Sequence, residues 1–201
     1  MVAAAIAHTH AARGERVRVF KPAVTGLDEP GEADHELLRR ASGSDQPDDS
    51  IAPYRYGPPA SPHLAAELAG ERIDPERLIA EARRVEAEAD YLVCEGVGGL
   101  LVPLAPDYLV RDFASDLGLP LVVAAPPGLG TINHTLLTLE AAQQAGLDVA
   151  LVVLTPWPGD PDEVESSNRG TLEKLTGAPL AALPRLELAD PASWPALELP
   201  V

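Results

Sequence analysis

The chain has 201 residues, which is enough for one domain with a substantial hydrophobic core. Hydrophobic residues make up 46% of it and aromatic residues only 4%, so alanine, leucine and valine must fill that core, as in a sheet covered by helices. The net charge of −16 argues against nucleic acid or an anionic membrane surface as a partner.

No apolar stretch is long enough to cross a membrane, and the N-terminus does not read as a signal peptide. The single cysteine, Cys94, has no partner for an internal disulfide. These features predict a cytoplasmic protein.

Hydrophobic periodicity predicts an alternation of helices and strands along the chain. In chain order, we expect helix 2–12, strand 17–20, helix 33–41, loop 45–59, helix 63–69, helix 76–88, strand 91–94, helix 107–117, strand 121–125, helix 131–145, strand 149–154, helix 162–176 and strand 181–183. The predicted fold is α/β, with a mostly parallel sheet flanked by helices in a single domain 1–201 that ends in an irregular tail, 184–201.

A glycine-rich turn follows the strand 91–94. Glu95 opens this turn and is followed by Gly96, Val97, Gly98 and Gly99. Open α/β sheets bind ligands at the carboxyl ends of their strands, and glycine lets a ligand approach the backbone closely. The alternative is a solvated carboxylate in an ordinary tight turn.

A lysine occupies the end of the strand 17–20. The chain has 13 arginines but only two lysines, Lys21 and Lys174. A lysine ammonium is a compact charge that suits phosphate or carbamate oxygens. The alternative for Lys21 is an ordinary surface lysine.

Three runs and one further segment appear in an order that resembles the dethiobiotin synthetase family. They are Lys21 to Gly26, the segment from Tyr54 to Ala66, Glu95 to Leu104 and Gly128 to His134. The resemblance implies a homodimeric, P-loop NTPase-like ligase of biotin biosynthesis. Such an enzyme carboxylates diaminopelargonic acid with CO2, phosphorylates the carbamate with Mg-ATP and closes the ureido ring.

The same resemblance assigns roles to individual residues. Lys21 is the implied catalytic residue, and Asp34 and Glu95 are the implied ligands of Mg²⁺ and of the nucleotide. The implied substrate contacts are Thr25, Gly130, Thr131, Ile132 and Asn133, the last four serving the carboxylate of the substrate held by the neighbouring subunit. Gly96, Val97, Gly98, Thr155, Pro184, Arg185 and Leu186 are the implied nucleotide contacts.

The sequence departs from the family pattern in two places. The family begins with a strand and a phosphate-binding loop ending Gly-Lys-Thr, and no such motif occurs here. We therefore hypothesise a truncated N-terminus, and we expect the chain taken literally to bind ATP weakly and to be unstable. The second departure is Thr155-Pro156 where the family often has Asn-Asp, which predicts a relaxed preference for the nucleotide base.

Two other functions remain open on the sequence. One is a catalytically inactive paralogue that only dimerises, which the missing phosphate loop favours. The other is a different amide-forming enzyme of the same P-loop superfamily. Retention of Lys21, Asp34 and Glu95 argues against the inactive paralogue, because a scaffold needs none of them.

Overall fold

The computed structural model describes residues 1–200. In chain order the elements are α1 (Val2–Ala12), β1 (Val17–Phe20), α2 (Asp34–Ser42), α3 (Asp48–Ile51), α4 (Pro62–Leu68), α5 (Pro75–Glu86), β2 (Tyr91–Cys94), β3 (Pro103–Ala105), β4 (Tyr108–Leu109), α6 (Val110–Leu117), β5 (Leu121–Ala125), α7 (Thr131–Gln144), β6 (Val149–Trp157), α8 (Glu163–Leu175) and β7 (Leu180–Pro184), with a short 3₁₀ turn at Pro191–Ser193. No helix of residues 1–200 is long and apolar enough to cross a membrane.

The chain forms two compact units. The first unit covers Ala3–Leu117, and the second contains Met1–Val2 and the chain from Gly118 on. The fold class is α/β, as predicted, and all the strand pairs except one hairpin are parallel. The single domain 1–201 with its irregular tail stays a prediction.

A two-stranded parallel sheet organises the first unit. β1 and β2 pair in register from Val17 opposite Tyr91 to Phe20 opposite Cys94. Parallel strands need a crossover between them, and the four helices α2 to α5 supply it. Fully buried apolar side chains on β1 and on the crossover form the core: Val19, Phe20, Leu38, Ile51 and Leu78.

The Gln46 side chain, in place of a third strand, pairs with the edge of β1 that faces away from β2. Gln46 Oε1 accepts from the Val19 N–H at 2.8 Å, and Gln46 Nε2 donates to the Val19 carbonyl at 3.1 Å. Two residues later, the Lys21 N–H donates to the Ile51 carbonyl at 2.8 Å. These bonds satisfy buried backbone groups of β1 that no strand reaches.

We expect Gln46→Leu to lower the free energy of unfolding by at least about 2 kcal/mol, because it leaves two buried backbone groups of Val19 without partners. Urea titration followed by circular dichroism measures this loss. The same exchange at the exposed Gln143 is the matched control and should change stability by less than about 0.5 kcal/mol. Equal effects of the two substitutions would contradict the bridging role of Gln46.

Three parallel strands organise the second unit in the order β5-β6-β7. Their residues are largely apolar, which is typical of strands that are covered on both faces. A core cluster of Ala125, Leu154 and Leu172 joins this sheet to α8, and Ile132 of α7 packs against it.

The sequence-based prediction was wrong at three local points. The helix expected from residue 107 begins at Val110, because Tyr108–Leu109 pairs with Pro103–Ala105 as a short antiparallel hairpin around Pro106-Asp107. The loop expected over 45–59 contains the one-turn helix α3. The strand expected to end at residue 154 continues to Trp157.

Candidate active site

Lys21 and Glu95 follow neighbouring parallel strands at the same edge of the sheet. Lys21 comes directly after β1, and Glu95 comes directly after β2. The Glu95 N–H donates to the Phe20 carbonyl at 2.9 Å, so the pairing extends to the first residue beyond β2. This is the edge where open α/β sheets bind their ligands, as the sequence predicted.

The Lys21 ammonium lies in a cage of three oxygen atoms. Its Nζ is 2.8 Å from Glu95 Oε1, 2.9 Å from Asp34 Oδ2 and 3.1 Å from the Gly96 carbonyl oxygen. The Lys21 side chain is 4% exposed, whereas those of Glu95 and Asp34 are 25% and 58% exposed. A buried cation thus faces two carboxylates that solvent can reach.

Opposing influences act on the pKa of Lys21. Burial, the largest single influence, lowers it, but the charges of Glu95 and Asp34 and their hydrogen bonds together outweigh burial and raise the pKa above 10.5. Lys21 is therefore a cation at neutral pH. The stability that this raised pKa contributes is complete below pH 10.5 and is lost as the pH rises through the folded-state value.

Asp34 owes its position to the start of α2. Ala33 is the N-cap residue, and its N–H donates to the Glu36 carboxylate at 3.0 Å, which fixes the point where the helix begins. Asp34 is the first helical residue, where a negative charge is favoured by the helix dipole. The predicted pair Asp34 and Glu95 therefore meets at Lys21 from a helix start and a strand end.

The turn after Glu95 has a backbone that requires glycine. Gly98 has φ +66°, and a Cβ placed there would lie 3.0 Å from Val102 Cγ2. A Cβ at Gly96 would lie 3.1 Å from Val110 Cγ1. The predicted nucleotide contacts Gly96, Val97 and Gly98 directly follow Glu95 in this turn.

Thr25 lies on a segment that is anchored to the chain before α4. The Val24 N–H donates to the Tyr54 carbonyl at 2.9 Å, and the Gly26 N–H donates to the Pro58 carbonyl at 3.0 Å. Thr25 is half-buried between these two anchors. Its predicted contact with substrate stays a prediction.

The predicted substrate-carboxylate segment forms the start of α7 in the second unit. Gly130 is the N-cap residue with φ +93°. Thr131 is buried and its Oγ1 lies 3.4 Å from Thr135 Oγ1, while Asn133 is exposed. Ile132 is half-buried and packs against the core cluster of Ala125, Leu154 and Leu172.

The predicted base contacts lie at the carboxyl ends of neighbouring strands of the second unit. Thr155 lies near the end of β6, and Pro184 is the last residue of β7, where it pairs with Trp157. Arg185 is exposed and Leu186 is buried. Parallel pairing therefore brings these separate segments together at one sheet edge.

Sequence reasoning missed two buried amides that hold backbone near the predicted site residues. They are Gln46 beside β1 and Asn168, whose Nδ2 donates to the carbonyls of Pro127 and Gly128 at 2.9 and 3.0 Å. Neither follows a hydrophobic period or belongs to a motif. Their position beside the backbone they hold is set by folding, and no local pattern in the sequence marks either residue.

Comparison with known proteins identifies the family. The profile of a family described as an AAA domain matches residues 1–193. The ATP-dependent dethiobiotin synthetase BioD of Anaeromyxobacter dehalogenans strain 2CP-1 is 42% identical over 185 residues, which are 91% of this chain and 82% of that protein.

Two further proteins with the same name are also similar to this chain. The one from Rhodococcus erythropolis PR4 is 37% identical over 91% of this chain and 81% of its own length. The one from Bacillus subtilis strain 168 is 34% identical over 85% of this chain and 74% of its own length. The chain therefore belongs to the family of ATP-dependent dethiobiotin synthetases.

Proposed function

We propose that this protein is a ligase that forms dethiobiotin from diaminopelargonic acid, CO2 and ATP. One amine of the substrate adds to CO2 to give a carbamate, and a carbamate oxygen takes the γ-phosphoryl group from ATP, releasing ADP. The second amine then attacks the activated carbon, inorganic phosphate leaves and the ureido ring closes. The observation that carries this proposal is the caged Lys21 ammonium in a chain of this family.

Lys21 supplies fixed positive charge for this chemistry. The carbamate and the transferring phosphoryl group both carry anionic oxygens, and a positioned cation stabilises charge that develops on them. Because its pKa is raised, Lys21 stays protonated and acts as an electrostatic partner rather than as a base. Its 4% exposure keeps competing water away from the ammonium.

Asp34 and Glu95 form a donor set that fits Mg²⁺. Magnesium takes one or two protein carboxylates and completes its shell with waters and phosphate oxygens. The more exposed Asp34 and the half-buried Glu95 present such oxygens beside Lys21. Bound there, Mg²⁺ would neutralise phosphate charge, while Lys21 would turn from the carboxylates to the reacting oxygens.

We assign the other predicted residues to binding of the substrate or of the nucleotide. Thr25 and the Gly130–Asn133 segment hold the substrate, whose carboxylate suits the free N–H groups at the start of α7. Gly96, Val97 and Gly98 line the phosphates, and Thr155, Pro184, Arg185 and Leu186 contact the base. A homodimer in which the Gly130–Asn133 segment serves the substrate of the partner subunit completes the proposal.

Fixation of labelled bicarbonate tests the proposed activity. With diaminopelargonic acid and Mg-ATP, we expect label to appear in an acid-stable product of the mass of dethiobiotin. Omitting either the amine or the nucleotide should abolish it, since the free carbamate loses CO2 in acid. Pro156 offers no N–H to a nucleotide base, so the preference for adenine is tested as well. Runs with CTP and GTP in place of ATP measure it. Label that never becomes acid-stable would refute the ligase.

A further inference from the structure

Within the second unit, Asn168 of α8 makes two hydrogen bonds to the loop between β5 and α7. Asn168 lies on α8, and the residue is buried, with 8% exposure. Its Nδ2 donates to the Pro127 carbonyl at 2.9 Å and to the Gly128 carbonyl at 3.0 Å. An amide nitrogen has two donors, and both are used on the loop between β5 and α7.

These two bonds set the direction in which the loop presents its N–H groups. In a trans peptide the C=O and the following N–H point in opposite directions. The only cis peptide bond among residues 1–200 is Thr155-Pro156. Holding the carbonyls of Pro127 and Gly128 toward α8 therefore aims the N–H groups of Gly128 and Leu129 away from α8.

The N–H groups aimed in this way are unused within the protein. In the part of the chain that the structure describes, the N–H groups of Gly128 and Leu129 have no hydrogen-bond acceptor. The next N–H along the loop that is bonded is that of Thr131, which donates to the Gly128 carbonyl at 3.2 Å. Leu129 is almost fully exposed, so its backbone is open to a ligand. The preceding Pro126 and Pro127 have no N–H to offer.

We propose that Asn168 is a positioning residue that directs the Gly128 and Leu129 N–H groups at the carboxylate of the substrate. The proposal rests on the proposed function, which places that carboxylate at the neighbouring Gly130–Asn133 segment. Asn168 itself touches no ligand. It acts through the two carbonyls that it holds, and an acid is recognised because N–H groups bind a carboxylate more strongly than a neutral ester.

The test compares the binding of diaminopelargonic acid with that of its methyl ester by titration calorimetry. Wild type should prefer the acid. Asn168→Ala should lower the ratio of the two affinities by about ten-fold, since the loop N–H groups lose their fixed direction. Asn168→Ser keeps one hydrogen-bond donor and should give an intermediate ratio. If the alanine variant does not fold, the serine variant tests the same proposal.

Leu172→Ala is the matched control. Leu172 lies one turn further along α8 and is fully buried, so its truncation weakens the same helix without touching the loop carbonyls. This variant should keep the wild-type ratio. A ratio that survives Asn168→Ala, or that falls equally in Leu172→Ala, overturns the role of Asn168. A wild type that shows no preference for the acid instead overturns the proposed function of the loop.

Discussion

Lys21→Met is expected to lower the rate of dethiobiotin formation by about 10³-fold or more, the scale on which a positioned cation stabilises a phosphoryl-transfer transition state. Methionine keeps the length of the side chain and removes its charge, so Glu95 and Asp34 then face each other with no cation between them. Single-turnover measurement of ADP release and of product formation reports the chemical step directly.

The chain offers a close control for this substitution. Lys174, the other lysine, is exposed in the last turn of α8, and Lys174→Met should leave the rate unchanged. Thermal unfolding of both variants separates lost catalysis from lost folding. Substantial turnover by a folded Lys21→Met protein would remove Lys21 from the reaction, and with it the central argument for the site.

Glu95→Gln is expected to lower the rate by about 10²-fold at fixed Mg²⁺ and to raise the Mg²⁺ concentration needed for half-maximal rate. The substitution also changes Lys21. Burial still lowers the pKa of Lys21, but the largest opposing influence, the charge of Glu95, is gone. The pKa of Lys21 therefore falls, and the loss of activity at alkaline pH should begin at a lower pH than in wild type.

Two further substitutions serve as a comparison and a control for Glu95→Gln. Asp34→Asn should act in the same direction but more weakly, because Asp34 is the more exposed of the two carboxylates at 58%. Glu29→Gln alters an exposed acid in the loop before α2 and should have no effect on Mg²⁺ dependence. If Glu95→Gln and Glu29→Gln show the same Mg²⁺ dependence, Glu95 does not serve the metal.

The sheet edge that carries Lys21 and Glu95 was predictable from the sequence because short-range patterns encode the end of each strand. A strand that ends in Lys21 and another that ends in Glu95 are each visible as an apolar run followed by a polar residue. The structure shows that the two strands are parallel neighbours, which places both residues at one edge. Asp34 was identified only through the family resemblance, because an acid in the first turn of a helix is common and does not by itself indicate a site.

The hairpin over Pro103–Leu109 shows where such patterns fail. The segment that follows has the spacing of an amphipathic helix, which hid the two residues that pair as β4. Strand pairing over so short a span depends on its partner across the turn, and periodicity within one segment does not include that partner.

The sequence by itself determined the α/β class, the limits of most helices and strands, and the two strand ends that carry Lys21 and Glu95, because each depends on the period or the ends of a local segment. Only the tertiary structure decided how those ends are held. Gln46 reaches β1 across 27 residues, and Asn168 reaches its loop across 40 and 41. Such bonds exist because folding buries backbone groups that must find partners, and the partner is chosen by distance in space.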